Sequence, residues 1–170
     1  MSDYGKGFLN GPLEIVKVLA AHCASFQTWV SAVSVSGAKE RIHFIDCAVD
    51  DTDPLLIVSY GLSRATRAIG GGGQTAFSPG DGSVYLMFEE AMSGEFQGTV
   101  AESEFAFQAK VDSILAELMT LSGVSIDDVD CQGSFDISAL EQDPEFPRSS
   151  NDKKEKKTYH QAAAILTWGE

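Results

Sequence analysis

The chain is 170 residues long, 44% hydrophobic and 22% charged, with a formal net charge of −13. That length suits one compact domain burying roughly 70% of the surface its unfolded chain exposes, and the composition excludes wholesale disorder. The acidic balance argues against a dedicated duplex-DNA binder, which needs cations to displace counterions from phosphates.

No apolar run is long enough to span a membrane. The start, Met1-Ser2-Asp3-Tyr4-Gly5-Lys6, lacks the basic and apolar regions of a signal peptide. Residues 1–10 are short, polar and glycine-containing, and read as an arm. Asn10-Gly11-Pro12 then reads as a helix start. Leu13, Val16, Leu19, Ala20, Cys23, Phe26, Val30 and Val33 recur every three or four residues. They predict an amphipathic helix of about 22 residues with Gly37 as its stop. Ile15 and Trp29 lie off the main stripe and widen the apolar face. Beyond it, Ala38–Ile42 forms a short second helix or Ile42–Cys47 extends into a strand; the pattern fits both.

Asp50-Asp51-Thr52-Asp53-Pro54 reads as an acidic loop, without the glycine and closing glutamate of an EF-hand. Leu55–Tyr60 is a buried strand by its β-branched, apolar run. The segment 61–82 is a long loop containing Arg64, Arg67 and Gly70-Gly71-Gly72-Gly73. It carries neither the Gly-Lys-Ser/Thr of a P-loop nor a GxGxxG turn. Loops this long in a compact domain are commonly functional, and this one reads as an assembly loop.

Ser83–Glu89 is the clearest strand, Val84, Leu86 and Phe88 alternating with Ser83, Tyr85, Met87 and Glu89. Gly94–Gly98 makes a loop. A second long helix spans about 99–121 on a stripe of Phe107, Val111, Ile114, Leu118 and Leu121, widened by Leu115. Glu102 and Glu104 favour its N-terminal dipole, and Asp112 and Glu117 read as solvated. Between 124 and 140 the pattern is ambiguous, with a weak strand over Cys131–Ile137. The segment 143–157 reads as a long polar loop. From Arg148 to Lys157 there are five cations, four of them Lys153, Lys154, Lys156 and Lys157, against two anions. A basic tip on an acidic body suits docking against an acidic surface, such as a second copy. The run ending Ile165-Leu166-Thr167-Trp168-Gly169 reads as a final strand, with Ala162, Ala164, Leu166 and Trp168 pointing one way and Cys131–Ile137 as its partner.

The expected fold is therefore α+β: one domain over 1–170, with a mainly antiparallel sheet of about four strands and two long helices packed on one face. Cys23, Cys47 and Cys131 include no CxxC pair, so no zinc site is expected. Of the histidines, His22 adjoins Cys23, and neighbours on a helix diverge by about 100°, which prevents an ordinary dyad. His43 and His160 are the others. No GxSxG elbow or HExxH motif points to a hydrolase.

The layout combines a helix holding His22-Cys23-Ala24-Ser25-Phe26-Gln27, a hairpin with a glycine-rich tip, the helix of Phe105–Leu121 and a closing strand ending in Trp-Gly. Over roughly residues 11–169 it resembles the tail terminator and tail-completion proteins of long-tailed bacteriophages. The resemblance implies a structural virion protein, made in the host cytoplasm, with no enzymatic activity, cofactor or metal. Six copies would form a ring that caps the tail tube, stops its polymerisation and joins it to the neck stopper and connector proteins. DNA would pass through the central channel without sequence-specific binding. On this reading Arg64, Arg67, Gly70–Gly73, Lys153, Lys154, Lys156 and Lys157 are interface candidates. Asp50, Asp51, Asp53, Glu89 and Glu90 are candidates for an acidic channel wall that repels DNA phosphates. The alternatives are a neck stopper or head-completion protein, a connector adaptor, a small hydrolase and a monomeric binding module.

Overall fold

The computed structural model describes residues 17, 20–44, 54–60, 82–122, 126–127, 132–133, 137–152 and 157–168. Along the chain these form α1 (Ala24–Trp29), α2 (Val35–Lys39), β1 (Ile42–Phe44), β2 (Leu55–Tyr60), β3 (Gly82–Ala91), α3 (Val100–Thr120), β4 (Ile126–Asp127), β5 (Gln132–Gly133), β6 (Ile137–Gln142), β7 (Arg148–Asp152) and β8 (Lys157–Trp168).

Alternation along β3 sets the main layer. Leu56 pairs with Phe88, which pairs with Ala162; Val58, Leu86 and Ala164 form the next row, and Val84 faces Leu166. All eight side chains are buried on one face of the sheet. Tyr60 faces Val84 in register, so β2 and β3 are the arms of the expected hairpin, joined through 61–81, which lies outside the described residues. On its other edge β8 pairs with both β6 and β7. The result is a six-stranded sheet, antiparallel except where β1 runs parallel to β2, plus a separate two-stranded ladder of β4 and β5. It is larger than the expected four strands.

Helix α3 lies on the buried face through Phe107, Val111, Ile114, Leu115 and Leu118, as its periodicity predicts. A full capping box starts it: Thr99 Oγ1 accepts from Glu102 N at 3.2 Å, and Glu102 Oε2 accepts from Thr99 N at 2.7 Å. The described helices all contribute to the same core cluster. Trp29 is its wedge, with ring centroids 5.8 Å from Phe26, 5.7 Å from Phe88 and 6.3 Å from Phe107.

The expectation of two long helices fails: among the described residues α3 is the one long helix. The segment expected as a helix of about 22 residues is broken at Cys23, whose backbone is extended (φ −76°, ψ 116°) between the helical turn 20–22 and α1. The break has a partner far along the chain. Cys23 supplies no side-chain cap, and Glu117 of α3 does so instead. Its Oε1 accepts from Ala24 N at 2.7 Å and its Oε2 from Ser25 N at 2.8 Å. Glu117 is therefore a cross-helix cap, not a solvated residue. Asp112 is likewise engaged, its Oδ1 accepting from Gln108 Nε2 and Gln142 Nε2, each at 2.6 Å.

Helix α1 stops at Trp29 in a Schellman turn, Ala32 N donating to Gln27 O at 2.8 Å and Ser31 N to Thr28 O at 3.1 Å. Ser31 sits at φ 56°, the left-handed conformation usually given to glycine. Val33, placed on the apolar stripe by spacing, is consequently outside the core and fully exposed. Gly37 lies inside α2, not at a helix stop, and Ser34 caps that helix by accepting from Gly37 N at 3.1 Å. Ile42 then begins β1.

The partner expected for the last strand also changes. Among the described residues of 131–137, Gln132 and Gly133 pair with β4 and only Ile137 pairs with β8; that pairing runs on through Gln142 and resumes at Arg148–Asp152. Thus part of the 143–157 segment expected as a loop is a polar edge strand, and Lys157 opens β8.

Two outcomes follow from these helix ends. Glu117→Ala leaves the Ala24 and Ser25 amides without their carboxylate and lowers unfolding stability by about 1–3 kcal/mol in a denaturant titration. Ser31→Gly relieves the left-handed serine and raises it by about 0.5–1 kcal/mol in the same measurement.

Candidate functional site

Strand alternation sends every second side chain to the face opposite the helices. There Ile57, Met87 and Ala163 form one row, and Ser59, Tyr85 and Ile165 the next. Ile57, Met87 and Tyr85 are partly exposed and Ile165 is 37% exposed, while Ala163 is buried. The result is an apolar strip across three strands, opposite the layer that α1, α2 and α3 cover.

Polar groups frame the strip. At one end Gln161 Nε2 donates to Glu89 Oε2, and Arg148 Nε donates to Gln161 Oε1 at 3.1 Å. The Arg148 guanidinium also lies 4.5 Å from the centre of the Phe146 ring. Along its side, Tyr85 OH donates to Asp143 Oδ2 at 2.8 Å. Burial, followed by the Asp143 carboxylate as hydrogen-bond acceptor and neighbouring charge, pushes the Tyr85 hydroxyl up to about 12. Asp143 is held below the usual carboxylate range by the Glu145 backbone amide and then by Tyr85. Both groups keep their charge states across neutral pH, so the frame is a fixed one.

The sequence-derived candidates are not gathered into one site. Arg64, Arg67, Gly70–Gly73, Lys153, Lys154, Lys156, Asp50, Asp51 and Asp53 all lie outside the described residues. Lys157 is exposed at the start of β8. Glu89 and Glu90 are neighbours on β3 and so face opposite sides of the sheet. Glu89 frames the open face. Glu90 is committed to the helix side, where it accepts from the Trp29 indole N–H and, at 2.7 Å, from Lys110 Nζ. The pair therefore does not line one wall. The residues that the sequence reading missed are Tyr85, Met87, Ile57 and Ile165. For Tyr85 and Met87 the signal was present in β3, two of whose five outward positions carry large, largely apolar side chains.

Chemistry at Cys23 is suppressed. Its thiol is buried, with Sγ 3.8 Å from the Ile114 carbonyl oxygen, and desolvation pushes it up to about 12. A thiol so protonated is not a nucleophile at neutral pH. Among the described residues no group of His, Cys, Asp and Glu is arranged to hold a metal ion, and no helix is long and apolar enough to cross a membrane.

No protein-family model matches the sequence, and no curated protein matches it. Its class thus rests on the structure itself: a mixed α/β protein with a six-stranded sheet and few helices.

The thiol environment has a direct check. In peptide mapping after iodoacetamide treatment near pH 8, Cys23 stays unmodified in the native protein and is labelled fully once the protein is denatured.

Proposed function

We propose that this chain is a structural, ring-forming protein of the tail terminator class. It would cap a phage tail tube and join it to the neck, with DNA passing through the ring. The observation that carries the reading is that, among the described residues, the helices lie on one face of the sheet only. Helices cover one face of a mainly antiparallel sheet, and an apolar strip of Ile57, Met87, Ala163 and Ile165 crosses the other. This matches the α+β architecture that the sequence resemblance implies. A contiguous apolar patch in a polar frame is the composition of a protein–protein contact. In a closed ring two different patches of each copy meet, so the neighbour on this face is a second copy of the chain.

Strand content favours the terminator over an adaptor, which would be mostly helical. Six copies carry six times the formal −13 of one chain, a balance that suits a channel through which DNA slides without sticking. Glu90 is withdrawn from that wall by Trp29 and Lys110, and Glu89 lies on the face assigned to the neighbouring copy.

Mass photometry of the purified chain, with and without assembled tail tubes, tests the reading, backed by negative-stain images. A ring of six, alone or at the tube end, is the expected result. Ile165→Lys abolishes it while changing the stability of the single chain by no more than about 0.5 kcal/mol. A chain that stays monomeric and ignores tubes overturns the proposal.

A further inference from the structure

One buried titratable group plays no part in the outer face. His160 of β8 is 1% exposed, in the seam between the sheet and α3. Its Nε2 lies 2.8 Å from Ser103 Oγ on α3, and its Nδ1 lies 2.7 Å from Ser149 Oγ on β7. Ser149 Oγ in turn donates to Glu104 Oε2, back on α3. The Phe107 ring stacks on the imidazole at 5.9 Å between centroids.

These contacts fix the direction of the protons. Ser149 gives its hydrogen to the carboxylate, so its oxygen accepts from Nδ1–H. Nε2 is then the bare nitrogen that accepts from Ser103 O–H. A neutral imidazole satisfies every bond in the chain Ser103, His160, Ser149, Glu104. The order of groups is that of a hydrolytic relay, but Ser103 is only 7% exposed within the seam. The chain thus ties three elements together and does not present a nucleophile to solvent.

We propose that this chain of bonds is a pH-operated latch. With His160 neutral it fastens the β7–β8 hairpin to α3, and proton uptake at Nε2 loosens it. The imidazolium would aim Nε2–H at the Ser103 hydroxyl, donor against donor until the serine turns, and would place a charge in a seam removed from water. The charged neighbours act in both directions. Glu104 on α3 and Glu90, cross-strand partner of His160 on β3, favour the imidazolium, whereas Lys110 on α3 opposes it. Arg148 of β7 is turned to Gln161 and the Phe146 ring. Burial outweighs the carboxylates and holds His160 below its ordinary 6.5. The unfolded chain then binds the proton first as the pH drops. The latch's contribution is full above about pH 6.5 and is lost as pH falls through the folded value. This inference does not depend on the ring reading.

NMR titration of the His160 imidazole, paired with amide hydrogen exchange at about pH 7.5 and about pH 5, tests it. After correction for intrinsic exchange rates, protection across β7 is expected to fall at the lower pH, with β3 unchanged. His160→Gln, which does not titrate, removes that pH dependence. Ser149→Ala, on the edge strand, cuts the link to Glu104 and lowers β7 protection at both pH values, narrowing their ratio. A His160 that titrates at or above 6.5 overturns the latch. So does β7 protection equal at the two pH values, or a His160→Gln protein retaining the wild-type pH response.

Discussion

Strand β8 has neighbours on both edges, and the rest of the fold is arranged around that constraint. Ten consecutive pairs, Gly82↔Trp168 through Ala91↔Tyr159, bind it to β3. Its other edge is shared between β6 and β7. A one-residue slip would carry Ala162, Ala164 and Leu166 from the core to the open face and His160 with them. The two alanines matter for a further reason. Their small side chains lie in the same core cluster as the aromatic rings of Phe88, Phe107 and Trp29.

Elements whose instructions are local could be read from the chain. Helix α3 carries its apolar stripe within its own residues, and β3 and β8 show period-two burial over many positions. The break at Cys23 could not be read, because the carboxylate that caps the following turn is Glu117, 93 residues beyond Ala24. Spacing alone carried the apolar stripe smoothly through it. The Schellman turn at Ser31 was hidden for a different reason: serine in the left-handed region is uncommon, and the nearest glycine, Gly37, drew the expected stop downstream. Strand β7, Arg-Ser-Ser-Asn-Asp, has no apolar alternation because it is an edge strand held by backbone pairing to β8. A polar run followed by lysines is indistinguishable from a loop until its partner is known.

The same distinction governs the candidate site. Charge runs and glycines stand out in composition, yet most of those residues fall outside the described parts of the chain. The open face is instead made by pairing. Met87 of β3 gains meaning only when Ile57 and Ala163 are set beside it, and Tyr85 only beside Ile165. Glu89 and Glu90 illustrate the converse, since adjacency in sequence means separation in a strand.

Polarity is distributed across the sheet in an unusual way. The helix-facing seam contains the ordered chain Ser103, His160, Ser149 and Glu104, while the face opposite α1, α2 and α3 carries Ile57, Met87 and Ile165. Apolar packing is non-directional and tolerates small slides of one layer over another. Hydrogen bonds around the buried His160 do not, because a donor displaced there is left unsatisfied. Placing them between α3 and the β7–β8 hairpin fixes the edge of the sheet against the helix layer, where apolar contacts alone would leave its angle loosely set. A rigid edge in turn holds Arg148, Phe146 and Asp143 at the rim of the apolar strip. The buried polar chain and the exposed apolar strip are in this sense one arrangement. The first determines the shape of the surface that the second offers to a neighbour.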